Sequence, residues 1–465
     1  MAKQQWQMET ISKMANSEAS GKQVVLVVGG AVAASEAVAQ FTQRGILTIV
    51  MEQNPRPYGK IEDGLPRWHV KLRRQEYDKI DARLAHPNVR FIPLTKLGHD
   101  ITLEEILGWG LSAVCLANGA WRDRPLPIAG IDAHIERGFY YQNPFVYWFN
   151  HYEDPGYDGP KCEAPDNAIV VGGGLASLDV VKILQLEAVG RALKAKGLPG
   201  EMLELEHKGI KRSLDALGIT MADLGVKGCT LYYRRRVEDM PLQEPTENPT
   251  PEQLAKTGMV RRKLLQNFLD KYQFIFHERH APVGLIVEDD RLAGLKFAET
   301  EVKDGRAVLK PGREKEVLTP LVISSIGSIP EPLQGIEMKG ELYRVKDENS
   351  GEVEGLPGVF ALGNAVTGKG NIQISFKHGR LVGLHVCEYL RGRPALTPTK
   401  VAAIEAKVKA LQEKVGYAGN YKEWIAKTRH FDRPVLSHVE GLSTQPERVE
   451  GVVPAYDVQT SATPS

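Results

Sequence analysis

The feature that most constrains this chain is a unit that occurs twice: an unbroken apolar run, a glycine turn and a helical stretch. Val24 to Val28 is apolar throughout and stops at Gly29-Gly30, while Ala168 to Val171 stops at Gly172-Gly173-Gly174. A short run without polar alternation is the pattern of a parallel strand covered on both faces. After the first turn, Ala31 to Gln43 reads as a helix and Ile46 to Met51 as a second buried strand, completing a right-handed βαβ unit. After the second turn, the helix reads Leu175 to Leu184 and the next strand Cys229 to Tyr233. The roughly forty residues between them include EMLELEHKGIKRSLDALG and predict an inserted helical pair, because a structureless loop of that length is rare in a compact domain.

Further strands are expected around Phe274 to Phe276, Val283 to Val287, Leu295 to Phe297 and Leu321 to Ile326. GVFALGN at 358–364 gives one more strand and turn, which open the helix Ile372 to Leu390. Past Pro394, the residues Val401, Ile404, Val408, Leu411 and Val415 fall on one helical stripe, expected to dock on the body of the protein. The polar first 22 residues read as a loose arm in which Trp6, Met8 and Ile11 allow a short helix, and the stretch after about residue 440 reads as a mobile tail.

Each glycine turn is a candidate dinucleotide site. The fingerprint G-x-G-x-x-G becomes Gly29, Ala31 and Ala34 in the first unit. The tight-turn glycine is kept, the second position gains a methyl where the backbone approaches the pyrophosphate, and the third is a packing position that tolerates alanine. About twenty residues on, Glu52 ends the second strand, where a carboxylate accepts hydrogen bonds from the ribose hydroxyls. The alternative is a βαβ unit whose nucleotide site has decayed. In the second unit, Gly172, Gly174 and Ser177 open a helix whose amides and dipole suit a pyrophosphate. Arg234, Arg235 and Arg236 follow the next strand, with no acidic residue at that strand end. Guanidinium groups there select a 2′-phosphate, hence NADPH over NADH, unless they form only a solvated basic turn.

Composition closes off other classes. A chain of 465 residues has room for two or three domains at roughly 100 to 200 residues each. No apolar run approaches the ~18 residues of a spanning helix, and the N-terminus lacks the apolar core of a signal peptide, so the cytoplasm is the default expectation. Cys115, Cys162, Cys229 and Cys387 form no Cys-x-x-Cys pair, so neither a dithiol centre nor an iron–sulfur site is expected. No metal site is read from the sequence. A net charge of +1 argues against general nucleic-acid binding.

With these motifs in place, the chain resembles the adrenodoxin reductase group of FAD-dependent ferredoxin:NADP reductases and the related small subunit of glutamate synthase, over roughly residues 24 to 390. EQNPRPYGKIEDGLPRWHVK at 52–71 is similar to the family's stretch past the FAD ribose, with Tyr58, Gly59 and a flavin-side His69 in place. LANGAWRDRPLPIAGID at 116–132, with Gly119, resembles the crossover into the NADP domain, and VVGGGLASLDVVKIL at 170–184 its NADP turn and helix. YYRRRVEDMP at 232–241 resembles the glutamate synthase form of the arginine strand end, and VISSIGSIPEP at 322–332 the exit from that domain. ALGNAVTGKGNIQIS at 361–375 resembles the last flavin-binding turn, with Gly363, Asn364 where many relatives have Asp, and the amides of Gly370, Asn371 and Ile372 facing the flavin.

The resemblance implies an α/β fold with two Rossmann-like dinucleotide-binding domains, the NADP domain inserted into the FAD domain, as in glutathione reductase-like flavoproteins. The implied boundaries are an arm at 1–22, the FAD domain at 23–120 and 331–394, the NADP domain at 121–330 with its helical insertion at about 187–227, and a C-terminal extension at 395–465. It also implies a hydride passed between NADPH and FAD, single electrons exchanged with a ferredoxin-like iron–sulfur protein, and a catalytic pair of His69 and an acid, Glu247, with Glu244 the neighbouring alternative. For His69 a packed or capping role beside Trp68 is the competing reading. Arg67, Lys71, Arg73, Arg74, Arg261, Arg262 and Lys263 are candidates for a basic face toward an acidic ferredoxin. Two alternatives stand: an electron-input subunit of a larger complex, against which only some twenty cysteine-free residues precede the first strand, and a nucleotide-binding scaffold without flavin.

Overall fold

The computed structural model describes residues 21–246 and 248–428. The N-terminal arm with its short-helix reading, Glu247 and the tail beyond residue 440 lie outside the described residues. The described residues form two compact units: one takes residues 21–65, 69–122 and 328–428, the other 66–68 and 123–327.

The first unit is built on a five-stranded sheet in the order Val359–Ala361, Ala113–Leu116, Val24–Val28, Leu47–Met51, Val89–Ile92, with every neighbouring pair parallel. The order reverses between Val24–Val28 and Ala113–Leu116, and such a switch point leaves a crevice at the carboxyl ends of the strands. Val24 to Val28 are buried throughout because both faces are covered. Val25 and Val27 pack among Ala34, Ala37, Phe41, Val382 and Val386, whereas Leu26 meets the layer that contains Ile106, Trp109, Val401, Ile404 and Val408. The stripe on Pro398–Lys414 is therefore part of this unit's core. On the opposite face, Val32–Thr42 and Ile372–Arg391 approach closely because Gly379 and Gly383 carry no side chain. A Cβ at Gly379 would lie 2.3 Å from the Ala33 carbonyl oxygen, and one at Gly383 would lie 2.9 Å from Ala37 Cα.

The second unit repeats the plan in the order Phe139–Tyr141, Val322–Ser325, Ile169–Gly172, Thr230–Tyr232, Ile275–His277, again all parallel. An antiparallel sheet of His280–Glu288, Arg291–Lys303 and Arg306–Leu318 accompanies it. Three local readings need correction. The helix after the second glycine turn runs to Ala195, so the insertion holds only the short helices Met202–Lys208 and Ile210–Leu217. The 22-residue helix Pro251–Tyr272 went unread: its first half is mostly exposed, and the apolar stripe Leu264, Leu265, Phe268, Leu269 and Tyr272 that packs on the core is confined to its second half. Its local signal was the Thr250 capping box, with Gln253 at N3 and Pro251 at the first turn. Arg306–Leu318 was also missed, since its exposed residues alternate with charges and include Pro311, a composition suited to an edge strand.

No helix among the described residues is long and apolar enough to cross a membrane. All four cysteines are buried and unpaired.

Candidate functional site

In the first unit, the turn after Val24–Val28 requires glycine at Gly29, which has φ +92° and whose Cβ would come within 2.6 Å of the Ala117 carbonyl oxygen. Glu52 braces the same turn. Its Oε2 accepts from the Gly30 amide at 2.9 Å and its Oε1 from the Asn54 amide at 2.9 Å. Each oxygen keeps a lone pair for a sugar hydroxyl. Val32–Thr42 begins with Ala31 at its N-cap, has no capping side chain and no acid in its first turn, so its dipole and amides are left for an anion. The added methyl at Ala31 is turned toward Gly59, where a Cβ would stand 2.9 Å from it, and Ala34 is packed in the core.

Burial raises the Glu52 carboxyl from 4.5 to about 7, against the lowering effect of the Asn54 and Gly30 amides. A carboxyl whose pKa is higher folded than unfolded binds more protons in the folded state, so ionising it destabilises the fold. The cofactor-free protein is expected to lose on the order of 3 kcal/mol of stability between pH 4.5 and 7 from this group. Urea unfolding across that range checks it, and Glu52→Gln should flatten that part of the profile. An equal slope in the variant would refute the assignment.

Around the same sheet edge, Gly59 (φ +52°) and Gly119 (φ +70°) hold backbone conformations suited to glycine. Tyr58, beside Gly59, is held by the core. It is fully buried, stacked on Tyr77 at 4.0 Å, with its hydroxyl on Asp81 at 3.0 Å, because the apolar ring gains more by joining the core. His69 occupies the N-cap of Val70–Leu84 without capping it through its side chain, so the capping reading fails, and it follows Trp68, whose indole packs on Phe149.

The last turn carries Gly363 at φ +74° and Asn364 directly after it. One amide atom of Asn364, placed as Oδ1, is buried and finds no partner among the described residues. Asn371 caps Ile372–Arg391 by accepting from the Ile374 amide at 2.8 Å, and a Cβ at Gly370 would press on Asn364 Nδ2 at 3.1 Å. His378 was not singled out from the sequence, yet it holds this turn. Its Nδ1 accepts from the Gly363 amide at 2.8 Å, which leaves Nε2–H to donate to the Glu348 carbonyl at 2.7 Å. The partners lie 15 and 30 residues away, a relation no local pattern shows.

The second unit has its own cradle. A Cβ at Gly172 would lie 2.3 Å from the Ser325 carbonyl oxygen, and one at Gly173 would lie 2.3 Å from the Tyr233 ring. Gly174 caps Leu175–Ala195, whose first turn again lacks an acid. Ser177 is fully buried, and its hydroxyl donates to the Ser325 carbonyl at 2.9 Å while accepting from the Gly174 amide at 3.3 Å. A serine in the third glycine position thus ties the helix to the neighbouring strand.

The three arginines separate. Arg235 spends its guanidinium on the Tyr233 hydroxyl and on the Gly305 and Asp239 carbonyls. Arg236 pairs with both oxygens of Asp239 at 3.0 and 3.1 Å. Arg234 is exposed and its guanidinium pairs with no side chain among the described residues. Part of the expected basic face is engaged internally, while Lys71, Arg74 and Lys263 are exposed. Arg73 is buried against Tyr77, Arg67 pairs with Glu153 between the Phe149 and Tyr152 rings, Arg261 donates to the Gln243 and Glu238 carbonyls, and Arg262 pairs with Glu238.

The residues of the first cradle fit FAD: an uncapped helix N-terminus for diphosphate, a carboxylate for ribose, and a buried amide with an unmet acceptor. Two Rossmann-like units, the second inserted into the first, define the class of two-domain dinucleotide-binding folds. No family model matches the chain. It is 24% identical over 358 residues to an NADPH:adrenodoxin oxidoreductase of Arabidopsis thaliana, covering 68% of this chain and 70% of that one. It is 23% identical over 396 residues to a glutamate synthase [NADPH] small chain of Mycobacterium tuberculosis, covering 82% and 70%. Its fold is shared with Mycobacterium tuberculosis FprA, solved in complex with NADPH, at a TM-score of 0.65 and 20% identity over 84% of this chain and 91% of the other. More particularly, the chain is similar in sequence to an NADPH:adrenodoxin oxidoreductase and to a glutamate synthase small chain.

Proposed function

We propose that the chain is an FAD-dependent NADPH oxidoreductase, with FAD in the first unit, NADPH in the second, and electrons exchanged singly with a ferredoxin-like iron–sulfur protein. The observation that carries it is the presence in one chain of two cradles with opposite sugar readers, the Glu52 carboxylate at the first and the exposed Arg234 at the second. Bound FAD supplies the chemistry that joins two-electron hydride transfer to one-electron transfer. The chain's residues bind and orient. The Val32–Thr42 N-terminus takes the diphosphate with Glu52 on the ribose, and Gly363, Asn364 and the Gly370 to Ile372 amides hold the flavin end. The Leu175–Ala195 N-terminus takes the second diphosphate, and Arg234 the 2′-phosphate. On the family resemblance, His69 and Glu247 are the pair beside the flavin.

The test is an absorbance spectrum of the purified protein, followed by anaerobic titration with NADPH and steady-state reduction of ferredoxin. Flavin bands that bleach on NADPH addition are expected. Protein with no flavin bands, and no recovery of them with added FAD, would favour the scaffold reading instead. Because the glutamate synthase small chain matches over the larger share of this chain, an acceptor on a partner polypeptide is the second reading. Negligible ferredoxin reduction together with co-purification of a large subunit would select it.

Arg234→Ala is expected to raise the KM for NADPH about 10- to 100-fold, the scale of a lost charged hydrogen bond, and to leave that for NADH unchanged. Arg235→Ala should instead lower stability, because its bonds are internal. Equal effects of Arg234→Ala on the two nucleotides would refute the 2′-phosphate assignment.

A further inference from the structure

Beside the first glycine turn stands a polar side chain, Asn118, to which the sequence motifs assign no role. The strands Ala113–Leu116 and Val359–Ala361 are paired with Leu116 opposite Ala361, so the residues just past their ends share one sheet edge. Asn118 lies two residues past the first strand and Asn364 three past the second. Asn118 also borders the Gly29 turn, since a Cβ at Gly29 would lie 3.4 Å from Asn118 Cα.

The orientation of the Asn118 amide is fixed by chemistry. Its Nδ2 lies 2.8 Å from the Tyr343 hydroxyl, and that hydroxyl donates to the Glu331 carbonyl at 2.8 Å. A phenol has one proton, and here the carbonyl takes it, so Tyr343 must accept from Asn118. The amide nitrogen therefore faces the tyrosine and Oδ1 faces away. That Oδ1 is buried and, among the described residues, has no donor. The Oδ1 of Asn364 is in the same position. A buried acceptor without a donor is costly, and two at one sheet edge call for a ligand that brings donors. The helix N-terminus beside them offers amide donors and so calls for a ligand with acceptor oxygens. Phosphate oxygens next to sugar hydroxyls satisfy both demands in one molecule.

Resting on the FAD reading above, we propose that Asn118, held in place by Tyr343, is a binding residue of the first cradle whose Oδ1 accepts a hydrogen bond from a sugar hydroxyl of the dinucleotide. The hydroxyl belongs either to the ribityl chain or to the adenosine ribose. Such an acceptor is a burden to the cofactor-free protein and an asset to the loaded one.

The experiment compares wild type, Asn118→Leu and Tyr343→Phe, each deflavinated and then titrated with FAD by fluorescence quenching, with melting followed in both forms. Asn118→Leu is expected to bind FAD 10- to 100-fold more weakly while its cofactor-free form melts no lower than wild type. Tyr343→Phe, which keeps the acceptor and loses only its orientation, should weaken binding by a smaller factor. Riboflavin 5′-phosphate and ADP-ribose, titrated separately, distinguish the two hydroxyl sources, since affinity for only the fragment carrying the bonded hydroxyl should fall in Asn118→Leu. If the leucine variant binds FAD as wild type does, or if its cofactor-free form melts lower, Asn118 is a structural residue and the proposal is wrong. If Asn118→Leu does not fold, an unaltered FAD affinity in Tyr343→Phe overturns it. Failure of wild type itself to take up FAD would overturn the underlying reading, a result separable from both.

Discussion

Gly29→Ala protein is expected to purify without flavin while remaining able to bind through its second cradle. Gly29 sits at φ +92°, and an alanine methyl there would lie 2.6 Å from the Ala117 carbonyl oxygen, a backbone atom that cannot rotate aside. The left-handed conformation alone costs an alanine roughly 1–2 kcal/mol, and the clash adds to it. Relief requires the turn to move away from Ala117, and the turn cannot do so while keeping the Gly30 amide on Glu52 at 2.9 Å. The measurements are flavin absorbance per polypeptide and retention on immobilised 2′,5′-ADP. Ala31→Gly is the control. Its methyl faces Gly59 and glycine is tolerated at an N-cap, so FAD affinity should change by less than about threefold. A Gly29→Ala protein with its full flavin complement would remove the first turn from the site.

The second large effect is expected at the end of the described chain. Tyr421 and Ile425 of Tyr421–Thr428, with Tyr417 before it, are buried in the core of the first unit. Tyr421 donates to Asp81 at 2.7 Å, beside the bond Asp81 accepts from Tyr58, and Trp424 Nε1 donates to the Pro55 carbonyl at 2.7 Å. Arg56 reaches both Glu62 and the Thr428 carbonyl. The helix thereby holds the run 54–58 that follows Glu52. Tyr421→Ala should lower the unfolding free energy by about 3–5 kcal/mol, the cost of removing a large buried ring, and Tyr421→Phe by about 1 kcal/mol for the lost hydrogen bond. Urea unfolding of the two variants checks both values. A midpoint unchanged in Tyr421→Ala would show the helix to be dispensable. Weaker flavin retention should accompany the loss, since Glu52 and this run share one segment.

The parts of the fold legible in the sequence were those whose signals are local. Val24 to Val28 and Ala168 to Val171 announce buried parallel strands because five and four apolar residues in succession leave no polar face. The stripe Val401, Ile404 and Val408 announced docking because a helix exposes one side to water. Pro251–Tyr272 escaped because its apolar stripe is confined to its second half, Leu264 to Tyr272, behind a first half that is mostly exposed. The family resemblance rested on short motifs around the turns, where small residues let the backbone approach a ligand closely.

The side-chain assignments needed the tertiary structure. Three consecutive arginines look equivalent in sequence, yet Asp239 and two carbonyls claim Arg236 and Arg235 and leave Arg234. Tyr58 lies in a ligand-side motif, yet Asp81 and Tyr77 draw it into the core. His378 and Tyr343 carry no local signature, and Asn118 lies in a quoted motif that gives its side chain no role, since what defines all three is a partner brought near by folding.

The two βαβ units and the glycine turns are written locally in the chain, because strand burial, turn conformation and helix initiation depend on residues within a few positions of one another. Which charges remain available and which acceptors remain unmet is set by folding in three dimensions. Those properties depend on the exchange of water for protein partners, and the partners are chosen by the packing of distant segments.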